Sequence, residues 1–232
     1  RYRENKPTNI CWSGGVFANV KLNQKINEML NVKNLYVQPA MGDMGIPLGS
    51  LLYELSNLPN FKKQYQKTMS LGNEIELKEK EIKKLKKYFN IHKIKNFTKE
   101  VIDLILNDKV IGFIQGRAEF GPRALCNRSI IYHCKDKSIN KWLNDRLNRT
   151  EFMPFAPVTT LEIAEKVFIK FDKTHMAADF MTVTYNVTDD FKTKCPAAVH
   201  VDQTARPQII RKENNKQMHE LLTFYYEETR EY

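Results

Sequence analysis

No CxxC pair occurs among the four cysteines, Cys11, Cys126, Cys134 and Cys195. Their scatter excludes a zinc ribbon, a thioredoxin-like redox motif and a small disulfide scaffold. They are read as free, buried thiols. No apolar run approaches the ~20 residues that a membrane span needs. The opening RYRENKPTNICW carries no apolar stretch of signal-peptide type, so a cytoplasmic protein with no membrane partner is expected. Internal repeats are absent. His92, His133, His175 and His219 show no ligand spacing and are read as structural. The N-x-S/T triplets beginning at Asn96, Asn127, Asn148 and Asn186 are taken as chance matches in an Asn-rich chain.

Charge is what the chain has in excess: +10 over 232 residues. That balance favours anionic partners such as phosphates, nucleotides or nucleic acid. Its distribution separates two kinds of cation. Lysines recur with Glu and Leu over residues 62–95 and read as a solvated helix face. Arginines concentrate instead at Arg117, Arg123, Arg128, Arg146 and Arg149, beside Gly, Pro and apolar residues. Arginine suits bidentate contact with phosphate and carboxylate.

The hydrophobic patterning predicts strands opening at residue 10 and over 34–38, with helices over 19–30 and 46–55. This strand–glycine loop–helix order implies an α/β unit. Some 58 residues cannot enclose a complete core of that kind. The portion therefore packs on the rest of the chain, or ends a domain that begins elsewhere. Farther on, charged helix is expected over 74–89, with Ile75, Ile82, Leu85 and Phe89 facing inward. Thr98 is the expected N-cap of a helix over 99–106. Strands are expected over 110–115, 129–133, 181–187 and 197–201, and helices over 137–149 and 216–229. These elements predict a second α/β domain.

The densest chemistry lies in residues 116–129, GRAEFGPRALCNRS. Gly116 and Gly121 permit turns close to a ligand, and Pro122 stiffens the second. Arg117, Arg123 and Arg128 place three permanent charges within twelve residues. Such crowding needs an anion or carboxylates to neutralise it. Glu119 is expected to hold one guanidinium, while Asn127 and Ser129 add neutral donors. The alternative is an ion-paired surface loop. The loop follows an apolar strand, however, and α/β ligand sites lie beyond strand C-terminal ends.

A second element, NRTEFMPFAPV, sets Arg149 and Glu151 against stiff apolar residues. It reads either as a rigidly held arginine or as a packed core turn. A third, PAAVHVDQTARPQ, would put His200 and Asp202 on one strand face as acid/base groups or ligands, with Arg206 after a short turn. One His and one carboxylate are too few for a metal site. Gly14 and Gly15, between strand and helix, can offer N–H groups to phosphate. Asp43, between Gly42 and Gly45, is a metal-ligand candidate or a capping residue.

Taken together, SGGVFANVKLN, QPAMGDMG, GFIQGRAEFGPRALCNRSI, LNRTEFMPFAPV and PAAVHVDQTARPQ resemble the O-carbamoyltransferase family of antibiotic and nodulation-factor biosynthesis. They follow the family's order and cover nearly the whole chain. The resemblance implies that residues 1–60 are the C-terminal end of a Kae1-like domain of the actin-like ATPase fold. Residues 61–232 would form a YrdC-like mixed α/β domain. It implies that the YrdC-like part makes carbamoyl-adenylate from carbamoyl phosphate and ATP, with Mg2+. The Kae1-like part would then pass the carbamoyl group to a hydroxyl-bearing acceptor, using bound Fe2+. By the same match, Gly14, Gly15 and Asn19 belong to a nucleotide site and Asp43 is a metal ligand. Arg117, Arg123, Asn127, Arg128, Ser129, Arg149, His200 and Arg206 surround carbamoyl phosphate and ATP, with Glu119 and Asp202 among the binding groups.

The chain departs from the family pattern in several places. Two upstream histidine ligands and the closing NTSFN-type segment are missing. Cys126 stands where glycine is common, and Asn148 where a basic residue is often found. A fragment of a longer protein is therefore expected, unable by itself to carbamoylate an alcohol. Two competing readings are a basic nucleic-acid-binding module and a carbamoyl-phosphate or nucleotide sensor without turnover. The first lacks an aromatic-rich basic stripe or a known nucleic-acid motif.

Overall fold

A computed structural model describes residues 7–29, 31–63, 66–149, 154–171 and 176–232. The chain is mixed α/β and carries four two-stranded sheets among the described residues. Strand β1 (Thr8–Trp12), helix α1 (Val20–Asn27) and strand β2 (Val32–Val37) form a βαβ unit with β1 parallel to β2. Leu35, Val37 and Met41 are its core, with Trp12 stacked on Phe17. Helix α2 (Ile46–Ser56) begins with Pro47 in its first turn, where the missing N–H costs nothing.

This small unit does pack on the rest of the chain. Asn23 Nδ2 in α1 donates to Phe17 O and to Thr182 O, each at 2.8 Å. Thr184 Oγ1 donates to Gln24 Oε1 at 2.9 Å. Ala40, Met69 and Phe180 close a small apolar cluster between the two portions. The sequence distance between these partners makes the junction a product of tertiary packing.

Helix α3 (Glu79–Leu85) is shorter than the charged pattern predicts. Ile75 and Phe89 are exposed, and Ile82 and Leu85 only half-buried, which corrects the inward face expected of them. Glu74 forms an isolated bridge with Arg117, but among the described residues no helix or strand packs extensively on α3 to reward a longer helix, and charged side chains gain nothing from extending it. Helix α4 (Phe97–Leu106) is capped by Asn96, whose Oδ1 accepts from Lys99 N–H at 3.1 Å. Thr98 therefore lies inside the helix and is not its cap.

Strands β3 (Ile111–Ile114) and β4 (Arg128–Ile131) pair antiparallel, with the arginine loop between them. Helix α5 (Ser138–Arg146) leads toward β5 (Val158–Thr160) and α6 (Leu161–Val167). Strand β6 (Tyr185–Asn186), helix α7 (Asp189–Lys194), β7 (Thr204–Ala205), β8 (Gln208–Ile210) and α8 (Lys216–Thr229) complete the chain. Strand β8 is parallel to β5, and β7 antiparallel to β6. One core wraps Phe191, Val187 and Ala164, while another joins α4, β3 and α8 through Ile102, Phe113 and Met218.

Two expected strands are corrected. Over 181–187 only Tyr185–Asn186 forms a strand, with Val187 in an isolated bridge to Phe168. Met181 is left-handed at φ 55°, and the Thr182 N–H and hydroxyl both turn back to Ala177 O. Over 197–201 the chain forms a 3-10 turn, Pro196–Ala198, followed by a tight turn. Proline fixes φ and lacks an N–H, which suits a first helical turn and opposes a paired strand.

Among the described residues the four thiols are unbridged; Cys126 and Cys195 are buried, and Cys134 is partly so. Cys11 is exposed, contrary to the expectation that all four are buried. No described helix is long and apolar enough to cross a membrane.

Candidate functional site

The arginine loop is braced from inside. Glu119 Oε1 accepts three backbone N–H groups: Leu125 at 2.7 Å, Asn127 at 2.7 Å and Arg128 at 3.0 Å. The expected pairing of Glu119 with a guanidinium is thereby corrected. A carboxylate satisfies several converging N–H donors better than one mobile side chain, because those donors are already fixed by the fold. Asn127 adds a second brace, its Nδ2 donating to Ser70 Oγ and Arg117 O, both at 2.7 Å.

Cys126 sits at φ 70°, the left-handed region in which glycine is comfortable and other residues are strained. Its N–H donates to Ser129 Oγ at 3.0 Å, and its thiol reaches Gln208 Oε1 at 3.3 Å. Burial pushes the thiol up to about 12, so it stays protonated at neutral pH.

The loop's guanidiniums meet backbone or sulfur. Arg128 Nη1 donates to Gln115 O at 2.6 Å and Asn127 O at 2.8 Å, and Nη2 to Gly116 O at 3.0 Å. Arg117 Nε donates to Gly72 O at 2.8 Å on the exposed side of the loop. Arg123 Nη1 lies 3.8 Å from Met41 Sδ in the βαβ unit. Burial, aided by the neighbouring Arg206 guanidinium, lowers Arg123 to about 10. It remains a cation at neutral pH, next to a second cation. That arrangement favours a bound anion.

Arg123, Arg128, Ser129, Arg149 and Arg206 line one cavity of about 460 Å³. Arg149 reaches it from beyond α5, with Cζ 5.2 Å from the centre of the Phe155 ring. The apolar stretch thus holds the arginine by a cation–π contact. Glu151 lies outside the described residues, as does His175. Gln208 and Asn140, which sequence reasoning missed, also line the cavity.

The remaining sequence candidates lie elsewhere. Arg117 and Glu119 do not line that cavity, and Asn127 faces a separate polar cleft. His200 opens on a neighbouring groove of about 670 Å³, which shares Asn140 with the arginine cavity. The His200 N–H donates to Thr204 O at 2.7 Å, and Gln203 N–H donates back to His200 O at 3.0 Å. His200 and Asp202 therefore belong to a turn and not to one face of a strand. Burial holds His200 below its ordinary value, against the pull of Asp202. Asp202 pairs with Lys21 Nζ at 2.7 Å and accepts from Thr204 Oγ1 at 2.6 Å, tying the turn to α1.

In the βαβ unit, Gly14 N–H is committed to Met41 O at 2.7 Å and is not offered to a phosphate. Gly15 has open space around it. Asn19 caps α1, its Oδ1 accepting from Lys21 and Leu22 N–H. Asp43 is exposed at the start of a 3-10 turn, Asp43–Gly45. Among the described residues no three His, Cys, Asp or Glu side chains gather as a metal site. Asp43 alone does not fit an iron centre.

Sequence comparison gives this geometry its context. The family model described as carbamoyltransferase C-terminus matches residues 102–231, and that described as carbamoyltransferase N-terminus matches residues 1–52. MJ1051 of Methanocaldococcus jannaschii is 36% identical over 94% of this chain and 42% of its own. Nodulation protein NolO of Bradyrhizobium diazoefficiens is 32% identical over 96% of this chain and 41% of its own. Nodulation protein U of Rhizobium tropici is 26% identical, over 94% and 36% respectively. The chain thus spans about two fifths of the length of such relatives. With a family model covering more than half of its residues, the chain belongs to the O-carbamoyltransferase family.

Proposed function

We propose that the arginine cavity forms carbamoyl-adenylate from carbamoyl phosphate and ATP, and that the whole protein then transfers the carbamoyl group to an acceptor hydroxyl. In this reading the described chain is a YrdC-like activating portion joined to the end of a Kae1-like portion. One observation carries it: Arg123, Arg128, Arg149 and Arg206 converge with Ser129 on one cavity. Both substrates are anionic. Water first cleaves carbamoyl phosphate to carbamate and inorganic phosphate. A carbamate oxygen then attacks the α-phosphorus of ATP, and charge gathers on phosphoryl oxygens as pyrophosphate leaves. Fixed guanidiniums stabilise that charge with little reorganisation. Mg2+ bound with ATP would supply further charge neutralisation.

Arg123 and Arg206 are the central anion-binding pair, and Arg149 approaches from the Phe155 side. Arg128 keeps its backbone contacts and turns one edge to the cavity. Arg117, Asn127 and Glu119 act by holding the loop. His200, neutral at pH 7 because burial disfavours its cation, is a proton acceptor from the adjoining groove. Asp202 orients that turn. Gly15 and Asn19 remain candidates for a second nucleotide site in the βαβ unit. An iron ion would need ligands beyond Asp43, and no step is assigned to it.

Carbamoyl-phosphate-dependent ATP–pyrophosphate exchange tests the proposal. Arg123→Ala should lower exchange by about 100-fold, as removal of a charge-stabilising donor does elsewhere. Exchange unchanged in Arg123→Ala and in Arg206→Ala would overturn it. Binding of both substrates without exchange would make the protein a sensor. Tight RNA binding that weakens with salt and ignores Arg123→Ala would make it a nucleic-acid module.

A further inference from the structure

A second polar cleft, of about 310 Å³, lies across the loop wall from the arginine cavity. Asn127, Gln115 and Ser70 line one side of it; Asp179, Arg211 and Asn214 line the other. It opens at the C-terminal end of β8, which is parallel to β5, where α/β folds place ligands. Asn215, the N-cap of the 14-residue helix α8, borders the same cleft.

Asp179 is the unusual group. Its side chain is 5% exposed, and Arg211 Nε donates to its Oδ2 at 2.6 Å. Oδ1 is buried and receives no donor from the described residues. A buried carboxylate oxygen without a donor is costly, and structural carboxylates are usually fully satisfied. Arg211 donates to one oxygen and leaves the second as an acceptor, in a cleft whose other walls mix amides and hydroxyls with Lys67 and apolar side chains such as Met69, Leu125 and Phe180. A ligand suited to it presents hydroxyl donors to a carboxylate and accepts from neighbouring amides.

We infer that this cleft binds a vicinal diol of ribose type, with Asp179 Oδ1 accepting from its hydroxyls. Two sources share that chemistry: the ribose of a nucleotide and a free sugar. The nucleotide source rests on the function proposed above, while the free-sugar source does not.

Calorimetric titration of the chain with ATP, 2′,3′-dideoxy-ATP and D-ribose tests the inference. ATP should bind about tenfold or more tightly than its dideoxy analogue, since a hydrogen bond to a charged group is lost. Asp179→Asn, nearly isosteric, should erase that difference while leaving dideoxy-ATP binding unchanged. If Asp179→Asn fails to fold, hydrogen exchange on the native chain locates the contact. ATP, but not the dideoxy analogue, should then slow exchange around Gly116 and Asn214. Asp179-dependent binding of D-ribose in a chain that ignores ATP would support the cleft and sink the nucleotide reading. Equal affinity for the two nucleotides with no ribose binding would overturn the cleft and leave adenylation intact. Binding of none of the three ligands would overturn it as well.

Discussion

The arginine loop at residues 116–129 and the stretch over residues 46–95 are both cationic and hold their charges in opposite ways. In the loop, Glu119, Arg128 and Arg117 each have fixed backbone partners. Glu119 gathers three N–H groups, Arg128 grips carbonyls across the β3–β4 hairpin, and Arg117 holds Gly72. In the stretch, Lys80, Lys83, Lys84 and Lys87 line an open groove on α3, and α2 exposes Leu51, Leu52 and Tyr53. Net charge per residue does not distinguish the two regions, at +2 over 14 residues and +6 over 50. Backbone does: glycine-rich loops expose carbonyl and N–H groups for side chains to satisfy, whereas a helix satisfies its own.

The sharpest way to break this contrast is Glu119→Ala. It strands three backbone donors at once, and a loss of about 3 kcal/mol or more is expected in denaturant unfolding. Glu119→Gln should recover part of that loss, since one oxygen remains. An undiminished midpoint in Glu119→Ala would mean that the loop is held by packing alone.

A comparable effect is expected from pH at Asp179. Burial outweighs Arg211 and lifts this carboxyl to about 6, so the folded chain holds its proton more tightly than the unfolded chain does. The associated stability is fully present below about pH 4 and is lost as pH rises toward 6, by about 3 kcal/mol. Unfolding across that range should show the slope in the native chain and not in Asp179→Asn.

Smaller effects complete the series. Cys126→Gly removes left-handed strain of roughly 1–2 kcal/mol but also a buried thiol and some chain stiffness. A net change within about 1 kcal/mol is expected in thermal melts. Lys83→Ala and Lys84→Ala, on the exposed helix, should each shift stability by less than about 0.5 kcal/mol. A larger loss there would show that the groove is ordered like the loop.

Elements with internal signals were readable from the sequence. Helix α8 matches its predicted range and β2 overlaps its own, whereas α1 is shorter than expected and buries Asn23 and Gln24 while Leu22 of its apolar spacing is exposed. The arginine loop stood out as a candidate site because glycine and proline surround its charges. The partner of Glu119 was not, since backbone donors have no letter in a sequence and a carboxylate among arginines suggests an ion pair. The strand expected at residues 197–201 failed for a related reason. Alternating valines suggested a ladder, but Pro196 and the hydrogen bonds of the 200–204 turn decide the geometry. Asp179 escaped notice although AADFM carried a usable signal: a lone carboxylate in an apolar run needs a reason to be there.

The Glu119 clasp has a kinetic consequence. A loop tied through three amides reaches its binding shape during folding, before any ligand arrives. Association should then follow a single exponential whose rate rises linearly with ligand concentration and falls with ionic strength, as electrostatic steering into a rigid cationic cavity does. In Glu119→Gln the slackened loop should add a second, concentration-independent phase, while the encounter rate set by the arginines stays the same.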